Sequence, residues 1–110
     1  MAPGEWDLLQ GTLDMLILKT FALEPMHGFA VSVRIRQMTE DMLRVEQGSL
    51  YPALHLLERP GLIQSEWGVS ENNRNAMFYK LTRVGQKRLQ DEASNWERLS
   101  LAVNTIMQAS

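Results

Sequence analysis

The chain contains no cysteine. That absence excludes a disulfide framework and any thiolate metal site. Histidine is nearly as scarce: His27 and His55 stand far apart, without clustered carboxylate partners, so no metal site is expected. Also missing is an uninterrupted apolar run long enough to span a bilayer, and no apolar segment follows a basic N-terminus as it would in a secretory leader. The expectation is a soluble protein of a reducing, cytoplasmic compartment. There is no Gly-rich phosphate loop, no nucleophile–base spacing and no carboxylate pair with a reason to be activated. Catalysis therefore finds no support and no cofactor is implied.

What is present is one domain's worth of chain, 110 residues with 45% hydrophobic content, enough for a modest core. The formal net charge of −2 argues at first sight against a nucleic-acid partner. The charges are unevenly placed, however. Residues 44–88 carry seven basic against four acidic side chains, while the rest of the chain carries four against nine. A basic segment inside an acidic protein fits a localised phosphate-binding face.

Within that segment, residues 45–63 (VEQGSLYPALHLLERPGLI) read as a short helix with start and stop signals. Gly48 or Ser49 is the expected N-cap, which would put Pro52 in the first turn, where its missing N–H costs little. Leu50, Leu54 and Leu57 recur at i, i+4 and i+7 and predict the buried stripe. Ser49, Tyr51, Pro52 and His55 point elsewhere, and Pro60-Gly61 ends the helix. A helix that buries one side and presents its front end suits a DNA major groove. Tyr and Ser can hydrogen-bond phosphates or bases, and Pro can meet a thymine methyl group.

Around this stretch, a first helix is expected over residues 8–22, its capping box formed by Asp7 and Gln10 and its apolar side marked by Leu9, Leu13, Leu16, Ile17 and Phe21. Met26-His27-Gly28 reads as a turn and Val31, Ile35 and Met38 as the stripe of a second helix. Residues 39–41 read as a linker and residues 42–45 as a short strand. Residues 62–67 and 77–81 are β-prone, and the intervening GVSENNRNA is rich in turn formers, so a hairpin is predicted with Asn72, Asn73, Arg74 and Asn75 at its tip. Trp6 and Trp67 read as packing residues. Thr82 is the expected N-cap of a last helix, residues 83–107. There Leu89, Ala93, Trp96, Leu99, Val103 and Ile106 alternate largely by three and four, as in a heptad seam. At 1.5 Å per residue that helix is about 37 Å long, more than so small a domain covers, and its far side is expected to meet a second copy of the chain. Arg34, Arg74 and Lys80 are candidate phosphate neutralisers.

The order helix, helix, strand, helix, hairpin, long helix is the winged-helix order. The segments LLQGTLDMLIL, PMHGFAV, SLYPAL, ENNRNAMFYKLT and VGQKRL, in sequence and at matching spacing, resemble the PadR-like transcriptional regulators. The resemblance implies a mainly α fold with a small β-hairpin wing. A winged helix-turn-helix would occupy residues 1–82 and a C-terminal dimerisation helix residues 83–110. It implies a homodimeric, sequence-specific repressor binding a double-stranded operator, with Tyr51 and its neighbours as DNA contacts. The chain departs from the family at Pro60, where members usually carry Lys or Arg, and at Asn75 and Met77, wing positions that are often basic. These departures weaken the phosphate grip expected of the wing.

The expected DNA contacts are thus Ser49, Tyr51, Pro52, His55, Arg34, Asn73, Arg74 and Lys80. The expected dimer contacts are Leu9, Leu13, Leu89, Ala93, Trp96, Leu99, Val103 and Ile106. Related regulators admit planar aromatic compounds between paired subunits, which makes Trp96 the candidate for an effector pocket. Two rival readings carry no direct DNA contact: a winged-helix protein-interaction module, favoured by the acidic total charge, and a small-molecule sensor.

Overall fold

The computed structural model describes residues 10–110. Their order is α1 (Gln10–Leu23), β1 (Met26–His27), α2 (Gly28–Met38), α3 (Gln47–Glu58), β2 (Ile63–Val69), β3 (Asn75–Leu81) and α4 (Arg83–Met107). The strands form one antiparallel sheet in the order β1-β3-β2. Its register sets Met26 opposite Tyr79 and Ser65 opposite Tyr79 on the other side, so Tyr79 lies at the middle of the sheet. This is a mainly helical chain with a small sheet and a long terminal helix, as expected. Leu8, Leu9, Trp6 and Asp7 lie outside the described residues, and the expectations placed on them with them.

The core forms where α1, α2 and α3 meet the root of the sheet. Ile17, Leu18, Val31, Leu50, Leu54 and Ile63 are its largest fully buried side chains. Burying a side chain of this size contributes roughly 1.5–3 kcal/mol. Leu50, Leu54 and Leu57 form the stripe that the spacing of α3 predicts, joined by Ala53. The helix stops as its sequence says. Gly61 takes the left-handed conformation (φ 81°), its N–H donates to the carbonyl of Glu58, and Leu62 N–H donates to that of Leu57. That pair of bonds satisfies the last carbonyls of the helix and turns the chain into β2. Thr82 caps α4 as expected. Its hydroxyl donates to the Gly61 carbonyl (2.6 Å) and accepts from Gly85 N–H (3.0 Å), so the root of the hairpin and the start of α4 are tied through one side chain.

Several expectations are corrected. Met26-His27 is not a turn but a third strand, and His27 also caps α2, its Nδ1 accepting from the Ala30 N–H. Residues 42–45 form no strand, because the sheet edge they would need beside β3 is taken by β1. α3 begins at Gln47 with Glu46 at the cap position and no side-chain cap bond. Pro52 therefore sits in the second turn, where it cannot give the carbonyl of Gly48 its helical bond. Met38 is exposed, one turn past the cover of the core. Between α2 and α3, Glu40 and Asp41 take left-handed conformations (φ 50° and 68°), and Arg36 pairs with Asp41 at 2.5 Å. That guanidinium, through its hydrogen bond and then its charge, holds the Asp41 carboxyl below its ordinary range.

Candidate nucleic-acid interface

α3 lies with its apolar stripe on the core, so its opposite side is left to solvent. Ser49, Tyr51, Pro52 and His55 are all exposed there. Tyr51 is 46% exposed, although its ring edge rests near Gly28 at the start of α2. A methyl group added at Gly28 would stand 3.3 Å from that ring and 3.1 Å from Leu54. The close approach explains why a glycine follows His27: α2 and α3 cross there with almost no gap, and the crossing fixes the tilt at which Tyr51 is offered. At its other end α3 is tied to the sheet by a hydrogen bond from the Ser65 hydroxyl to the Glu58 carboxylate. Burial, with Glu58 and Tyr51 nearby, pushes the Tyr79 phenol above its ordinary value, so this group under α3 stays neutral. Tyr79 stacks on Phe21 of α1 at 5.8 Å.

The hairpin of β2 and β3 projects beyond the end of α3. At its tip the Ser70 N–H donates to the Arg74 carbonyl (2.8 Å) and Asn73 takes the left-handed conformation (φ 59°), which Asn tolerates better than most residues. Asn72, Asn73, Arg74 and Asn75 are exposed. Arg34 and Arg74, distant in sequence, line the two sides of one open cleft of about 860 Å³ between α2 and the hairpin. Arg34 is not a lone cation, however; it pairs with Glu24 at 2.5 Å. Lys80 stands apart from the other candidates. It alternates with Tyr79, which faces α3, and therefore projects from the opposite face of the sheet, beside Phe78 and Glu66. Trp67 was missed. It is not a packing residue but 72% exposed, because the cover of α3 ends at Ser65 and Trp67 lies two residues further out. The Gly that follows and the short apolar alternation around it could have signalled a strand that outruns its support.

The expected dimer contacts divide along α4. Leu13 and Leu89 are buried in the core of their own subunit (5% and 6% exposed) and so lie beneath the surface that a partner would touch. Ala93, Trp96, Leu99, Val103 and Ile106 are all exposed on the stretch of α4 beyond that core. Trp96 lines a shallow groove between α4 and α1 with Thr12, Met15, Glu92 and Leu99. Among the described residues no His, Cys, Asp or Glu side chains gather as a metal site would require. No described helix is long and apolar enough to cross a membrane.

Residues 17–91, more than half of the chain, match the model of the transcriptional regulator PadR-like family. The chain belongs to the PadR-like family of transcriptional regulators. Solved structures agree with that placement. A PadR-like transcriptional regulator of Bacillus cereus is 25% identical, with 93% of this chain and 97% of that one covered and a TM-score of 0.79. A PadR family transcriptional regulator of Eggerthella lenta is 28% identical, with coverage of 92% and 86% and a TM-score of 0.78. A transcriptional regulator of Clostridium thermocellum is 27% identical, with coverage of 87% and 93% and a TM-score of 0.79. In PadR-like terms α2 and α3 are the helix-turn-helix and β2 and β3 are the wing.

Proposed function

We propose that this PadR-like regulator is a homodimeric repressor that binds a double-stranded operator through α3. One observation carries the reading: α3 holds Ser49, Tyr51, Pro52 and His55 on a single solvent-facing edge while its opposite side is sealed into the core. Side chains on such an edge can donate to and accept from base edges in a major groove. The wing tip, with Asn73 and Arg74, stands on the outer side of the same subunit, where it can reach the flanking backbone or minor groove. The second copy joins along the exposed apolar residues of α4. Each dimer then offers two α3 edges, and these meet half-sites about 10 base pairs apart, roughly 34 Å. Regulation acts through geometry: whatever turns the paired α4 helices changes the separation of the two edges. An aromatic effector at Trp96 shifts binding only by preferring one of those arrangements.

Tyr51→Ala tests the reading edge. On a duplex selected by the wild-type protein from a random pool, it should weaken binding by about 1–3 kcal/mol. Thermal unfolding should remain close to wild type, since half of the ring already lies in water. Unchanged affinity would remove Tyr51 from the contact surface. Binding should also fall steeply between low and moderate salt. Failure to recover any duplex would favour a protein-interaction module instead.

A further inference from the structure

We propose that Trp67, with Met77 opposite it on β3, is the wing's principal DNA contact: an aromatic wedge against the minor groove next to the major groove taken by α3. The inference rests on the operator-binding reading above and specifies how the wing takes part in it. Its basis is the register of the hairpin. Side chains of a strand alternate between faces, and residues paired across an antiparallel ladder share a face. Ser65 faces α3, because its hydroxyl donates to Glu58. Trp67 lies two residues further along the same strand and pairs with Met77, so both stand on the α3 side of the sheet. Two positions along a strand span about 7 Å.

This places Trp67 between the exposed edge of α3 and the donors at the wing tip. A stiff duplex that touches both must pass over Trp67. The indole is 72% exposed and Val69, on the same face, 62%. An apolar face of this kind, continuous with a polar reading edge, is costly in water and is covered when the edge is engaged. The charge of the wing points the same way. From β2 through the tip to β3 its only cations are Arg74 and Lys80, against Glu66 and Glu71, and Lys80 projects from the far face. Phosphate attraction is therefore weak where this wing meets DNA. An aromatic ring offers another means: it packs on deoxyribose or wedges at a base step, and its N–H can donate to the acceptors that A·T pairs show in the minor groove. The guanine amino group would obstruct that contact.

The test uses the full chain and a duplex recovered by selection with the wild-type protein. Trp67→Ala should raise the dissociation constant about tenfold, with the salt dependence unchanged. Arg74→Ala should instead lower the salt slope by about one. Placing G·C pairs at the positions flanking the α3 contacts should weaken wild-type binding. Inosine·C pairs, which lack the amino group in the minor groove, should restore it. Trp67→Ala should not distinguish the two, and Trp67→Phe should recover part of the affinity but not the N–H-dependent preference. Wild-type affinity in Trp67→Ala alongside weakened binding in Tyr51→Ala overturns the wedge and leaves the operator-binding reading in place. A reduced salt slope in Trp67→Ala also overturns it, since the residue would then act by placing charge. Absence of any selected duplex ends both. Because Trp67 is mostly solvated, its variants should melt with the wild type, and a lowered melting temperature would show the ring to be structural.

Discussion

The two halves of α4 carry apolar residues at similar spacing but meet different surroundings. The first half lies on α1 and the root of the wing: Gly85 and Leu89 are buried, and Thr82 anchors the helix to Gly61. In the second half every residue from 101 to the end of the helix at Met107 is exposed, including Val103 at 47% and Ile106 at 73%. A helix that runs about 37 Å needs tertiary contacts along its length, and the subunit supplies them only at one end. The difference teaches that spacing marks which side of a helix wants cover, whereas the reach of the domain decides who provides it. On the proposed function the second half is covered by another copy.

That contrast can be broken from either end. Gly85→Ala should have the largest effect. The added methyl carbon would fall 2.0 Å from the Leu62 carbonyl oxygen, so backbone must move. The gain of about 1 kcal/mol that alanine brings to a helix cannot offset this, and roughly 3 kcal/mol or more of stability should be lost in denaturant titrations. The loss should be independent of protein concentration. Val103→Asp should act differently. A carboxylate placed in an apolar seam should cost roughly 2 kcal/mol or more of association free energy. Sedimentation should then show folded monomers, and melting should lose its concentration dependence. Dimers that persist would place the interface elsewhere. Thr82→Ala should have the smallest effect, about 1 kcal/mol, by removing the cap of the anchored half. Equal losses from Thr82→Ala and Gly85→Ala would mean that the start of α4 can shift to relieve the clash.

Much of the architecture is legible in the sequence. The stripe of α3, the stop at Pro60-Gly61, the cap at Thr82 and the bounds of α4 follow from local spacing and local backbone chemistry, and each stands where it was expected. Three features were not legible for reasons of position. β1 is two residues long, too short for any alternation, and exists only because β3 offers it an edge. The start of α3 moved to Gln47 because neighbouring structure, rather than a side-chain cap, sets its first turn. Trp67 reads as packing because an aromatic in a strand usually packs. Gly68 beside it is the one local signal to the contrary, and only the placement of α3 shows that the cover of the sheet ends at Ser65, two residues earlier. For the candidate site, the edge of Ser49, Tyr51, Pro52 and His55 was legible as the residues left over from the stripe. The joining of Arg34 and Arg74 across one cleft, and the turning of Lys80 to the far face, were not.

The chain's own order of residues determined the apolar stripe of α3, where that helix stops, where α4 begins and ends, and that α4 outruns its domain, because these depend on neighbours a few positions away. Only the tertiary structure decided which apolar residues are satisfied within the subunit. Leu89 and Val103 have similar spacing and chemistry, yet one is sealed and the other bare. Burial is set by what another part of the chain can reach, and that distance is written in the packing of α1 and the sheet rather than in the helix itself.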